Sequence, residues 1–121
     1  VCIIACGVMV SQALTAANEL AVNGIKASVI DMHTLKPLDK VLVDSMAESC
    51  GCFVTAEDHS VIGGLGGSVA EHLSTGASTP LEMVGVSDVF GQSGSPSELM
   101  SSMGLTSEDI KSSALRAINR K

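Results

Sequence analysis

Cys52-Phe53-Val54-Thr55-Ala56-Glu57-Asp58-His59-Ser60-Val61-Ile62-Gly63-Gly64-Leu65-Gly66-Gly67-Ser68 is the stretch that decides the fold. Residues 52–57 form an almost unbroken apolar and β-branched run, the pattern of a strand covered on both faces. Polar residues then interrupt it where a chain would leave a sheet. Paired glycines follow, and the spacing predicts a loop over His59–Gly64 and a helix from Leu65 to Leu73. A buried strand, a glycine turn and a helix in succession are half of a βαβ unit.

The same alternation extends in both directions. Val1–Cys6, Ala27–Asp31 and Leu81–Val86 read as three further strands. The last of these alternates more than the others and reads as an edge strand. Between the first two runs, Val10, Ala13, Leu14, Ala17, Leu20 and Ala21 recur at helical spacing and predict a helix whose sheet-facing side includes Leu14. Asn23-Gly24 supplies its stop. Asp39 is a natural N-cap for a second helix, with Val43, Met46, Ala47 and Cys50 as its stripe and Gly51 as its end. Ser95-Pro96-Ser97-Glu98 opens a short helix that Gly104 closes. Thr106-Ser107-Glu108-Asp109 opens the last one, with Ile110, Ala114, Ala117 and Ile118 inward. Strand–helix alternation of this kind implies right-handed crossovers and a three-layer α/β/α fold. We expect a mainly parallel sheet of four strands in one domain over 1–121.

Open parallel sheets bind ligands beyond the carboxyl ends of their strands, where the winding reverses. The first and third strands are the expected neighbours there, and their ends carry Cys6-Gly7 and Glu57-Asp58-His59. Asp31-Met32-His33 ends the second. Glu57 and His59 are candidates for an acid–base pair, although adjacent strand residues face opposite sides. Gly63 and Gly64, ahead of a helix, are candidates for an anion loop. Their spacing matches no phosphate-binding fingerprint and no lysine follows. Close packing of small residues is the plainer reading. His33 and His72 have no partner at a metal-ligand spacing. Gly91-Gln92-Ser93-Gly94-Ser95 lacks the pattern of a serine nucleophile elbow, and its serines read as helix caps.

Composition narrows the function classes. Thirteen acidic against seven basic residues leave a net charge of −6, which disfavours a nucleic-acid partner. With two Phe and no Trp or Tyr, base-stacking platforms are lacking and the core must be aliphatic. The four cysteines, at 2, 6, 50 and 52, match neither a zinc knuckle nor a redox pair. They read as small core residues in a reducing compartment, so a cytoplasmic location is expected. No apolar run approaches the roughly 20 residues of a membrane span. The opening Val1–Cys6 has the character of an interior strand, as expected for a piece of a longer chain.

Three stretches carry a family resemblance. Asp31-Met32-His33-Thr34-Leu35-Lys36-Pro37-Leu38-Asp39 resembles the D-x-x-T-[IL]-K-P-[LI]-D segment of transketolase C-terminal domains. Val54–Gly66 resembles their V-T-x-E-[DE]-H-x-x-x-G-G-[LFI]-G segment. Gly85-Val86, Asp88–Gly94 and Glu98-Leu99 are similar to the family's closing stretch, with Phe90–Pro96 most like transketolases, including two-piece forms. Deoxyxylulose-phosphate synthase and the decarboxylating component of 2-oxoacid dehydrogenases are relatives.

The resemblance implies a mixed sheet with one antiparallel strand ahead of Val1. It also implies a parent enzyme that uses thiamine diphosphate and magnesium to move two-carbon ketol units between sugar phosphates, in the pentose phosphate pathway. The cofactor would lie between two other domains of paired subunits. Neither the diphosphate-binding G-D-G segment nor the activating glutamate has a counterpart here, so no catalytic, cofactor-binding or metal-ligating residue is assigned. The domain is expected to be inactive alone and to pack against a preceding pyrimidine-type domain and a second subunit, in a homodimer. Val61 and Ile62, apolar yet outside any expected strand, are candidates for that interdomain contact; the other reading tucks them under the following helix. The alternative function is a regulatory module that takes a small anion or a partner at the switch point.

Overall fold

In chain order the elements are β1 (Cys2–Ala5), α1 (Met9–Val22), β2 (Ser28–Asp31), α2 (Lys40–Cys50), β3 (Phe53–Ser60), α3 (Leu65–Leu73), β4 (Leu81–Val86), α4 (Pro96–Ser102) and α5 (Ser107–Asn119). This computed structural model describes residues 1–33, 38–60, 63–76, 78–86 and 96–121, with backbone alone at 59, 60, 96, 97 and 99. The expectations for Thr34–Pro37, Val61, Ile62, Asp88–Gly94 and the Ser95 cap fall outside the described residues.

The strands form one sheet in the order β2-β1-β3-β4, every pair parallel. β1 and β3 are neighbours with Ala5 opposite Ala56, so the winding reverses between them. β4 is an edge strand, as its alternation suggested. β2 is the other edge, and Ser28 and Asp31 at its two ends are exposed. That departs from a strand covered on both faces, because strand order is not encoded in the run itself. β3 runs three residues further than its apolar run predicts: Asp58, His59 and Ser60 are still strand, with a register shift against β4 between Ala56 and Ser60.

Two cores flank the sheet. On one face α1 and α5 enclose Ile3, Ala5, Met9, Ala13, Ala16, Leu20, Val54, Ala56, Ile110, Ala114 and Ala117. On the other face, Cys2, Ile4 and Phe53 pack with Val43 of α2 and with Leu65 and Val69 of α3. Leu14 is 52% exposed, so it does not face the sheet. Met9, Ala13, Ala16 and Leu20 do. The stripes 10-14-17-21 and 9-13-16-20 both satisfy helical spacing and differ by one residue, or about 100°. The choice between them is tertiary: α5 docks beside α1, with Ser107 N–H donating to Gln12 Oε1 at 2.9 Å.

The helix ends follow local chemistry. Gly24 (φ +78) lets Ile25 N–H reach Leu20 C=O at 3.0 Å, a left-handed stop no β-carbon favours. Asp39 accepts from Leu42 N–H at 3.1 Å at the start of α2. Thr106 and Asp109 exchange the reciprocal bonds of a capping box at the start of α5.

Candidate functional site

Strand alternation places Glu57 on the α2/α3 side of the sheet and Asp58 on the opposite side. Glu57 is fully buried and Asp58 exposed. A carboxylate in that position needs strong donors. Both come from the start of α3: Leu65 N–H donates to Oε1 at 2.9 Å, and Gly66 N–H to Oε2 at 2.8 Å. Gly64, the N-cap residue of α3, has no side chain to cap with. Glu57 does that work from the adjacent strand, and the positive end of the helix dipole favours its charge.

The helix can approach so closely because residue 66 is glycine. A β-carbon on Gly66 would sit 2.9 Å from both Thr55 Oγ1 and Met83 Sδ, inside contact distance. Gly63 has a positive φ of +76 and a β-carbon there would meet nothing within 4 Å. The two glycines thus differ in role: Gly66 makes room for the sheet, while Gly63 supplies a turn.

The expected anion loop therefore already holds an anion, the protein's own Glu57. Its two oxygens are committed to main-chain donors, which leaves them badly placed as a base. The backbone of His59 continues β3, and its side chain lies outside the described part. Cys6 follows β1 on the same side as Glu57. Burial first, and then the carboxylates of Glu57, Asp58 and Asp31, raise the pKa of its thiol, so it is a poor nucleophile at neutral pH. His33 pairs loosely with Asp31 at 3.6 Å on the surface. His72 Nε2 meets Asp44 Oδ1 at 2.7 Å, which joins α3 to α2. Among the described residues, no group of three His, Cys, Asp or Glu side chains is placed to hold a metal ion. No described helix is long and apolar enough to cross a membrane.

The model of the transketolase C-terminal domain matches residues 1–110. The chain belongs to that family. The chain is 46% identical, over all 121 residues, to a 6-deoxy-6-sulfo-D-fructose transketolase subunit from a Clostridium species, and covers 38% of that protein. It is 43% identical over 107 residues to the 1-deoxy-D-xylulose-5-phosphate synthase of Chlorobium luteolum, with 88% of this chain and 17% of that protein covered. A solved structure of a split-gene transketolase, in an inactive β4 tetramer, superposes with a TM-score of 0.94 at 47% identity; the match covers 98% of this chain and 39% of that one. The chain thus spans less than two fifths of these transketolase-family relatives.

The transketolase family implies a diphosphate cofactor, and the described residues do not fit one. The two amides best placed to cradle a phosphate are taken by Glu57. The carboxylates of Glu57, Asp58 and Asp31 all bear on the neighbouring Cys6, a negative surround that repels a diphosphate. Sequence reasoning singled out Glu57 but missed this role. Local capping rules look about three residues away, whereas Glu57 caps a helix that begins eight residues later.

Proposed function

We propose that residues 1–121 are a single assembly domain of a thiamine-diphosphate- and magnesium-dependent transketolase that transfers two-carbon ketol units between sugar phosphates. In this reading the cofactor sits elsewhere in the parent, and this domain braces the preceding pyrimidine-type domain and the second subunit of a cytoplasmic homodimer. The supporting observation is similarity over 98% of this chain to part of a split-gene transketolase, combined with a switch point whose anion cradle is filled by Glu57. That relative's tetramer is inactive. By analogy, this section without its counterpart associates with itself and catalyses nothing.

The test is calorimetry of residues 1–121 with thiamine diphosphate and magnesium, beside a ketol-transfer assay of the parent. The expected result is no heat of binding in the domain and cofactor-dependent transfer in the parent. Micromolar binding by the domain alone would overturn the assignment.

A further inference from the structure

We propose that Asn23 is a modification site: it deamidates through a cyclic imide, and the closed end of α1 guards it. The proposal is independent of the functional reading above and needs no reagent but water.

The chemistry is internal to the chain. The backbone nitrogen of Gly24 attacks Cγ of the Asn23 side chain. A bond forms between them, and the side-chain amide leaves as ammonia, taking the Gly24 amide proton with it. Water then opens the five-membered ring at either carbonyl and leaves aspartate or isoaspartate. Of the three asparagines, at 18, 23 and 119, only Asn23 precedes a glycine. A β-carbon on the following residue would crowd the attacking nitrogen, and glycine has none. Both residues are exposed, and a β-carbon built on Gly24 would meet nothing within 4 Å. Neither solvent nor space is the barrier.

The backbone is the barrier. The ring contains the Cα–C bond of Asn23, so Cβ and the Gly24 nitrogen must eclipse. An L-residue reaches that only with ψ well into the negative range, whereas Asn23 has ψ 12. The attacking N–H is also engaged, donating to Ala21 C=O at 3.0 Å, and Ile25 N–H donates to Leu20 C=O at 3.0 Å. Turning ψ breaks both bonds. Ile25 packs against the α1/α5 core and pins the stop in place. Reaction therefore proceeds from the fraction of molecules whose last turn of α1 is open.

Once formed, the product keeps that end open. Aspartate adds a negative charge at a helix C-terminus, where the dipole disfavours it and no basic residue stands in the last turn. Isoaspartate adds a carbon to the main chain, so the bonds to Leu20 and Ala21 cannot re-form at their spacing.

The test incubates the full parent enzyme at mildly alkaline pH, folded and in denaturing urea. Mass spectrometry follows the deamidated fraction of the proteolytic peptide that carries Asn23. Deamidation should occur in both, at least about tenfold more slowly in the folded enzyme, because two backbone hydrogen bonds must open first. Ile25→Ala removes the pin and leaves Asn23-Gly24 intact, so it should accelerate the folded reaction. Val69→Ala, a buried change on the opposite face, should not. Where either variant is too unstable to assay, the wild-type ratio of folded to unfolded rates decides. Equal folded and unfolded rates, or no deamidation at Asn23 in urea, would overturn the proposal. Equal acceleration by the two variants would do so as well, since global unfolding would then be the gate.

Discussion

The two faces of the sheet are built differently. The α1/α5 face is made largely of small apolar residues: Ala5, Ala13, Ala16, Ala56, Ala114 and Ala117 let two helices settle closely on the strands. The α2/α3 face carries larger side chains, Phe53, Ile4 and Leu65, but α2 contributes Val43 as its one fully buried residue. It also holds the fully buried Thr55 and Glu57, which a layer selected for stability alone would replace with apolar residues. The contrast separates two jobs. One face holds the domain together, and the other gives up some packing to tie α3 to the sheet's carboxyl edge.

The largest expected effect tests the first face. Leu20 is fully buried on α1, and Leu20→Ala should cost about 2–5 kcal/mol. Leu14→Ala, six residues earlier on the exposed side, should cost less than about 1 kcal/mol. Urea melts of the two variants measure the difference. Equal losses would mean that α1 is rotated by one residue.

That pair also shows how far the sequence was legible. Asp39, Gly24, Gly51 and the Thr106–Asp109 box mark helix ends by chemistry confined to a few residues, and each sits where it was expected. The neighbourhood of β1 and β3 was legible too, from the placing of polar residues at their ends. The face of α1 was legible only in part: Ala13 and Leu20 are in the core and Val10 and Ala17 pack against it, but Leu14 and Ala21 are exposed, because stripes one residue apart obey the same spacing and α5 decides between them. β2 as an edge and the extra length of β3 were hidden for the same reason, since pairing partners lie outside the run. The Glu57 cap was invisible to local rules: its residue type suggested acid–base chemistry, and only the fold shows both oxygens engaged.

A second test goes to the other face. Gly66→Ala places a β-carbon 2.9 Å from Thr55 Oγ1 and Met83 Sδ. Overpacking of this kind should cost about 1–3 kcal/mol, with Met83, a flexible and 41% exposed side chain, giving way first. The same change at a helical surface glycine would stabilise. A stabilising Gly66→Ala would show that α3 does not rest on the sheet this closely.

The faces should also part company in their pH dependence. On the α5 side, the guanidinium groups of Arg116 and Arg120 hold the Glu82 carboxyl below its ordinary range, with Arg116 Nε at 2.9 Å. A lowered folded pKa contributes stability above the unfolded value and loses it as pH falls through the folded one. Because both arginines are more than half exposed, the contribution should be under about 1 kcal/mol. Glu82→Gln should therefore flatten the acid limb. On the α2/α3 side, burial chiefly pushes the Cys2 thiol up to about 12. The unfolded thiol ionises first, so stability should fall between about pH 9 and 12, by about 1 kcal/mol by pH 10. Cys2→Ala should remove the larger part of that slope, and the raised Cys6 thiol on the same side keeps the rest. Melts across pH 4 to 10 with Glu82→Gln and with Cys2→Ala plus Cys6→Ala would assign each limb to its face, and an alkaline slope that survives the double cysteine change would detach it from the second core.

The smallest expected effect is the sharpest test of what the second face is for. Thr55 is fully buried on β3 beneath Gly66, and its Oγ1 has no hydrogen-bond partner among the described residues. A hydroxyl buried without a partner carries an uncompensated desolvation cost of about 1–3 kcal/mol by mutational measures. Valine has nearly the same shape, the same β-branching and a high strand preference, so Thr55→Val opens no cavity and asks for no new rotamer. The change should stabilise the domain by up to about 1 kcal/mol, since a methyl group takes the place of the unpartnered hydroxyl. Its counterpart on the first face, Val54→Thr, places a hydroxyl among apolar groups with the same geometry and should lose about 1–3 kcal/mol. The two substitutions are the same chemical step in opposite directions on adjacent residues of one strand. If the second face tolerates polar groups because it is loosely packed, Thr55→Val should be nearly silent while Val54→Thr still loses stability. If it bears them as a cost of tying α3 to the sheet, Thr55→Val gains stability while Val54→Thr loses it, and equilibrium melts of the pair separate the two accounts.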